Sequence, residues 1–321
     1  MDSLLQPFFL SQEETTIHHS SQRHIQTSMS TTLILVDCQK DFHPGGSLAI
    51  PTANEDAARI AKFIQEKAPL LNRIVCTLDT HQKLHIAHPC FWVKPKTGEH
   101  PPPFTIISAE DLKKGLWKPR PDLKFEGPTL DAMLDDAVFQ GKQGMMMNDQ
   151  QSLDLEKYCI EYAERLEKKG RFQICIWPEH CLIGSTGHAM VDVIQEALYK
   201  WTETTGRTVE WCWKGQNLLT EMYSALEADV PVSPSTALNQ DMVKSLRRSS
   251  KVLVCGQAMS HCVNYTTRDL VDNWPSDKAS QIVLLTDCAS AVPGFEGAAE
   301  TFMNDMKEKG VILTTSDNVP L

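Results

Sequence analysis

No apolar run in this 321-residue chain approaches the roughly 18–20 residues that a membrane-spanning helix needs. The N-terminus carries Leu4, Leu5 and Phe8 to Leu10 but neither a basic lead-in nor a long apolar core. No secretory signal is read there, and the expected location is cytoplasmic. The ten cysteines include no CxxC pair and no dense framework. Cys76, Cys175, Cys212 and Cys255 fall inside apolar, strand-like runs, as reduced thiols of a cytosolic protein would. Positive charge is also scarce: 31 Lys and Arg against 41 Asp and Glu leave a formal net charge of −10. That balance argues against nucleic acid or an anionic membrane as a main partner.

What is present suits a globular α/β protein. Hydrophobic residues make up 41% of the chain. Its length is large for a single core, so insertions or a small second lobe are expected. Residues 1–30 are polar, rich in Ser, Thr, Gln and His, and read as a flexible extension in which His18, His19 and His24 are solvated. From Thr32 on, short apolar runs at 32–36, 73–78, 172–177, 208–213, 251–256, 281–286 and 310–315 alternate with helix candidates. The helix candidates lie near 53–68, 152–169, 187–202, 217–228, 236–248, 261–272 and 296–309. Several of the runs are apolar throughout, as parallel strands covered on both faces are. The alternation predicts a doubly wound, mainly parallel six-stranded sheet with helices on both faces, spanning 31–321. Residues 89–150 break the rhythm with the Pro-rich HPPPF at 100–104 and the run Met145–Met147. They read as an insertion forming a lid or a contact in a homo-oligomer, or as a surface excursion.

Ligands of open α/β sheets bind beyond the carboxyl ends of the strands, and there this chain places its reactive residues. The strand runs lead into Asp37, into Asp79 and His81, into Trp177 and His180, and into Lys214. The fifth leads into Gly256-Gln257-Ala258-Met259-Ser260-His261-Cys262. Most cysteines are small buried residues. Cys262, however, falls in the first turn of an apolar-periodic helix with Ser260 as a plausible N-cap, where the helix dipole favours an anion. Lys214 would add positive charge, and Asp37 can accept the thiol proton and return it to a leaving amine. A proton carrier of that kind needs a raised pKa, which burial supplies and Lys214 opposes. Asp79-Thr80-His81 puts two ligand types on the same side of an extended chain. With His180, and with His85 and His88 close by, the set suits Zn²⁺, Mn²⁺ or Fe²⁺ with open positions for water. His188 and His261 read as structural or solvent-exposed, and His43 and His100 as loop residues.

The combination resembles the nicotinamidases, within the isochorismatase-like cysteine hydrolases. Asp37-Cys38-Gln39-Lys40-Asp41-Phe42 followed by Gly45-Gly46-Ser47-Leu48 is similar to their DxQxDF…GGSL. Asp79-Thr80-His81 resembles their metal DxH, Trp177-Pro178-Glu179-His180-Cys181 their WPxHC, and Gly256 to Val263 their GxAxxxCV. Lys214-Gly215 falls where the family has its lysine. Asp287-Cys288-Ala289-Ser290 looks like the downstream strand-end motif. The likeness covers about 31–88 and 172 to the end.

It implies an isochorismatase-like hydrolase fold and a metal-dependent amidase acting on a small amide, nicotinamide above all. Cys262 would be the nucleophile, Asp37 the proton carrier and Lys214 the group that orients it. The Ala258 and Cys262 N–H groups would form the oxyanion hole, worth about 2.7–4 kcal/mol per donor, beside a cis Ala258–Met259 bond. The divalent metal ion would rest on Asp79, His81 and His180. Phe42 and Trp177 would sandwich the ring. Where nicotinamidases often place a further histidine this chain has Ala87. His88, one residue later, restores the register, with His85 the other candidate. Three other readings stand beside this one: a related cysteine hydrolase of another amide or ureido compound, a non-catalytic binding protein that kept the fold, and a vinyl-ether hydrolase. Cys262 argues against the last, whose chemistry needs no thiol.

Overall fold

A computed structural model describes residues 30–139 and 152–321. The stretch holding His18, His19 and His24, and the run Met145–Met147, lie outside the described residues. In chain order the elements are β1 (Thr31–Val36), α1 (Ala53–Lys67), β2 (Leu71–Asp79), β3 (Trp92–Val93), β4 (Ile106–Ile107), α2 (Ala109–Lys113), β5 (Lys118–Pro119), α3 (Gly127–Met133) and α4 (Asp136–Phe139). Then come α5 (Leu155–Lys169), β6 (Ile174–Cys175), α6 (Asp192–Thr205), β7 (Glu210–Lys214), α7 (Gln240–Leu246), β8 (Lys251–Gly256), α8 (Cys262–Asp272), β9 (Ile282–Leu285), α9 (Glu296–Glu308) and β10 (Ile312–Thr314).

Six strands form the main sheet in the order β10-β9-β8-β1-β2-β7, with every pairing parallel. The period of two assigns alternate side chains of β1 to opposite layers. Ile34 and Val36 join the apolar cluster that includes Val254, Leu284 and Phe302, whereas Leu33 and Leu35 join the one with Ile60, Ile64, Leu198 and Trp201. Each such fully buried aliphatic side chain contributes about 1.5–3 kcal/mol, and strands buried on both faces read as continuous apolar runs for that reason.

The sheet has one feature that positions the site. From β1 the chain winds outward through β2 to β7, then crosses to β8 on the other side of β1 and winds outward again. The crevice at such a reversal opens between the carboxyl ends of the two central strands. Here those strands are β1 and β8, which run into Asp37 and the Cys262 turn. They lie in close register, Val36 opposite Gly256. A Cβ on Gly256 would fall 2.1 Å from the Val36 carbonyl oxygen, so only glycine permits this approach.

Three expectations are corrected. The run 172–177 contributes no strand to the main sheet: only Ile174–Cys175 is extended, paired antiparallel with β4. Ile174 and Ile176 instead join a second cluster with Phe91, Trp92, Ile107, Phe125, Tyr158 and Tyr162, while Cys175 and Trp177 pack in the cluster on the sheet. The segment 217–228 is irregular rather than helical. Its apolar spacing reflects burial of Leu218 and Leu219 in the same second cluster and of Tyr223 and Leu226 against the sheet. The stretch after residue 89 is no featureless loop. It carries β3, β4, β5, α2, α3 and α4, and much of the second apolar cluster lies here and on α5. Among the described residues no helix is long and apolar enough to cross a membrane.

Candidate active site

The strand-end residues converge. Lys214, the last residue of β7, is buried, and its Nζ lies 2.9 Å from Asp37 Oδ2. It donates to Asp79 Oδ1 at 3.0 Å, to the Met222 carbonyl at 3.1 Å and to Cys262 Sγ at 3.5 Å. Candidate ligand atoms of Asp37, Asp79 and Cys262 all lie within 4.8 Å of one another. Sulfur, carboxylate and ammonium therefore meet at the sheet's reversal point.

Asp37 leaves β1 with φ of 44°, a left-handed conformation that Asp tolerates better than most residues. Thr77, in β2, holds it: the Thr77 hydroxyl accepts from the Asp37 N–H at 3.1 Å and donates to Oδ1 at 2.5 Å. With Oδ1 engaged by Thr77, Oδ2 is buried and faces the Lys214 ammonium at 2.9 Å. It is the Asp37 oxygen not held by Thr77. Burial pushes the Asp37 carboxyl above its ordinary range, Lys214 pulling it down and Asp79 adding to the rise. Burial likewise pushes the Cys262 thiol well up, against the pull of Lys214 and with the help of Asp37 and Asp79. Burial would lower the Lys214 ammonium, but Asp37 and Asp79 hold it well above its ordinary value. Burial thus favours the neutral thiol and a more basic carboxyl, while the two carboxylates favour the charged lysine.

Cys262 is the first residue of α8, and its cap is His261, which makes no side-chain capping bond. Ser260 does not cap the helix as expected: its hydroxyl accepts from the Val292 N–H and pairs with His261 Nδ1 at 2.9 Å. The non-proline cis bond joins Gln257 to Ala258, one residue earlier than expected. The Ala258 carbonyl accepts from the N–H groups of His261 and Val263, while the N–H groups of Ala258 and Cys262 make no hydrogen bond among the described residues.

Beside this centre lies a histidine cluster. His81, His88 and His180 approach pairwise with ring centroids 4.9–5.5 Å apart. Each turns Nδ1 to a backbone carbonyl, of Gly215, Lys83 and Pro178 respectively. A carbonyl only accepts, so Nδ1 carries the proton and Nε2 presents a lone pair, the ligating tautomer. His85 is the reverse: its Nδ1 accepts from the Ala87 N–H at 3.2 Å, so Nε2 holds the proton of its neutral ring. Nε2 of His81 and of His180 lie 3.1 and 3.3 Å from Asp79 Oδ2. Yet the buried Nε2 atoms of His81, His85 and His88 make no aligned hydrogen bond. Lone-pair atoms converging without hydrogen-bond alignment are what ligands of one cation look like: candidate ligand atoms of Asp79, His81 and His180 all lie within 4.8 Å of one another, and so do those of His81, His85 and His88, so the cluster fits a divalent metal on Asp79, His81 and His180 with His88 or His85 beside it. Gly215 keeps the cradle open: with φ of 76°, its Cβ would fall 2.7 Å from Asp79 Oδ1 and 2.8 Å from His81 Cε1.

Phe42 lies edge-on to His180 with centroids 5.5 Å apart. Trp177 is buried, donates Nε1–H to the Tyr223 hydroxyl at 2.8 Å, and touches the His261 ring at 5.0 Å. His261 takes the structural of its two expected places. It sits edge-on to Trp177, Tyr223 and Phe295, and burial pushes its pKa down to about 3. Between that value and the ordinary 6.5 the unfolded chain binds a proton that the folded one refuses. The His261 contribution to stability is thus complete above pH 6.5 and is lost as pH falls, by up to about 1.4 kcal/mol per pH unit. Thermal melts at pH 7 and pH 5 are expected to show a smaller acid loss in His261→Phe than in the native chain. Equal losses would remove His261 from this account.

Sequence reading passed over Thr77 and the clamp formed by Gln39. The Gln39 side chain accepts from the Asp79 N–H and donates to the Asp79 carbonyl, both at 2.7 Å, fixing the shared carboxylate. A lone Thr in the apolar run RIVCTL was the available signal for the first.

With the geometry in place, the fold is similar to that of solved nicotinamidases. A nicotinamidase/pyrazinamidase from Acinetobacter baumanii aligns at 18% identity over 91% of this chain and 98% of its own, with a TM-score of 0.53. The yeast nicotinamidase bound to the inhibitor nicotinaldehyde aligns at 19% identity over 89% of this chain and 99% of its own, TM-score 0.54. A protein from L. infantum in complex with nicotinate does so at 21%, covering 90% and 94%, TM-score 0.50. No family model matches the chain, and no curated protein does. At these identities the likeness is one of fold.

Proposed function

We propose that this protein is a cysteine-nucleophile amidohydrolase that converts nicotinamide to nicotinate and ammonia. The observation that carries the reading is the Lys214 ammonium within 3.5 Å of Asp37, Asp79 and Cys262 at once, beside a histidine cluster in its ligating tautomer. That the neighbours in fold include proteins bound to nicotinaldehyde and to nicotinate supports the substrate class.

Asp37 Oδ2 takes the thiol proton as Cys262 Sγ bonds to the amide carbon, and the carbonyl electrons move onto oxygen facing the free N–H groups of Ala258 and Cys262. As the tetrahedral adduct collapses the C–N bond breaks, and Asp37 gives its proton to the departing ammonia, leaving a thioester. Water then attacks, passing a proton to Asp37 that returns to sulfur as nicotinate leaves. The raised Asp37 pKa makes this transfer from a buried thiol less uphill, and Lys214 keeps a compensating charge beside the sulfur throughout. Phe42 and Trp177 hold the ring. A divalent ion on Asp79, His81, His88 and His180 would supply a Lewis-acid anchor for the pyridine nitrogen and for water.

The test is ammonia release from nicotinamide before and after chelation and metal restoration, with bound metal measured by elemental analysis. Chelation is expected to abolish most activity reversibly. His180→Ala and His88→Ala are expected to lose at least half of the bound metal and His85→Ala to keep it; unchanged stoichiometry in the first two would remove them from the ligand set. Ammonia from another amide but not from nicotinamide would keep the cysteine chemistry and change the substrate.

A further inference from the structure

Phe104 stands out from the rest of the inserted stretch. It is a bulky residue at φ of 67°, in the left-handed region, and half of its surface is exposed. It follows Pro101-Pro102-Pro103, and the chain on either side of it is pinned to one residue. Its own N–H donates to the Ile176 carbonyl, and the Ile176 N–H donates to the Thr105 carbonyl. Ile176 directly precedes Trp177, and the Phe104 ring stands edge-on to Trp177, centroids 5.8 Å apart and planes at 84°. Trp177 in turn touches His261, the neighbour of the nucleophile. The side chain belongs to neither apolar cluster of this region. Folding therefore gains little from the aromatic ring, and glycine would take this backbone conformation without strain.

Resting on the amidase reading above, we propose that Phe104 is a specificity-determining residue, forming the outer wall of the aromatic pocket beside Trp177. It supports a flat six-membered aromatic amide and excludes one widened along its outer edge. A half-exposed ring at positive φ contributes little to folding, and its one ring contact among the described residues is Trp177.

The experiment compares nicotinamide with quinoline-3-carboxamide, the same amide carrying a fused ring, in the full chain and in Phe104→Ala, Phe104→Gly and Phe104→Tyr. Phe104→Ala is expected to shift the ratio of kcat/KM values towards the wider amide by about tenfold or more. The shift should come through a raised KM for nicotinamide with little change in kcat. Phe104→Tyr is expected to keep the native ratio, and Phe104→Gly to melt at or above the native temperature. An unchanged ratio in both the Ala and Gly variants overturns the assignment. So does a drop in Tm accompanied by parallel losses on both amides, which would mark the ring as packing. If the native chain releases ammonia from neither amide, the amidase reading itself fails and this inference falls with it.

Discussion

Cys262→Ala is expected to lower kcat for nicotinamide hydrolysis by roughly 10⁴- to 10⁶-fold, the scale on which removing a covalent nucleophile acts. No other described group replaces the sulfur: the remaining residues at Lys214 Nζ are two carboxylates and a carbonyl. The residual rate comes from what still binds the ring and faces the developing oxyanion. Folding should survive, because the change deletes one sulfur at a helix start and leaves Lys214 its three oxygen neighbours. Melting within a few degrees of the native chain, with turnover at background, is the expected pair of results. Turnover within tenfold of native would end the thioester proposal. Alkylation adds a second readout. Because burial holds the thiol well up, a general alkylating agent should label Cys262 slowly near neutral pH, and an amide-shaped electrophile faster.

Lys214→Met is expected to remove activity and also to cost about 3–5 kcal/mol of stability, the usual consequence of deleting one partner of a buried ion cluster. Asp37 and Asp79 would then face each other buried and uncompensated. The native arrangement already shows the tension: Asp79 raises the Asp37 pKa while Lys214 opposes it. Without the lysine that carboxyl rises further and takes a proton in the folded state. A group bound more tightly to its proton when folded contributes stability that fades as pH rises through its folded pKa. The deficit of the variant should therefore shrink on moving from pH 8 towards pH 5, measured by urea midpoints relative to the native chain. A variant as stable as the native chain at pH 8 would mean that the cluster is relieved some other way, and the electrostatic account of the site would fail.

The helices at 53–67, 155–169, 262–272 and 296–308 could be read to within about three residues, because each shows an apolar stripe at helical spacing. The central strands were legible because burial on both faces leaves no polar alternation. The misreadings have the same origin. Ile174, Ile176, Leu218 and Leu219 are buried against the inserted stretch rather than in the sheet or on a helix. Hydrophobicity records that a side chain is covered, not what covers it. The sequence favoured His88 over His85 on register alone, and it could not give the protonation of either ring. Which ring nitrogen bears the proton depends on whether the nearest backbone group is a carbonyl or an N–H.

By itself, then, the sequence determined the inventory: a doubly wound α/β chain whose strand ends carry Asp37, Asp79, Lys214 and the Cys262 turn, together with histidines of a metal-binding type. Periodicity and strand-end position are local properties, and local properties survive in one dimension. Tertiary structure decided the rest. It brought one ammonium against two carboxylates and a thiol, chose the tautomers around Asp79, and set Phe104 beside Trp177. Those outcomes depend on the reversal between β1 and β8 and on how the inserted stretch folds back. Both join residues far apart along the chain, through distances that no local pattern encodes.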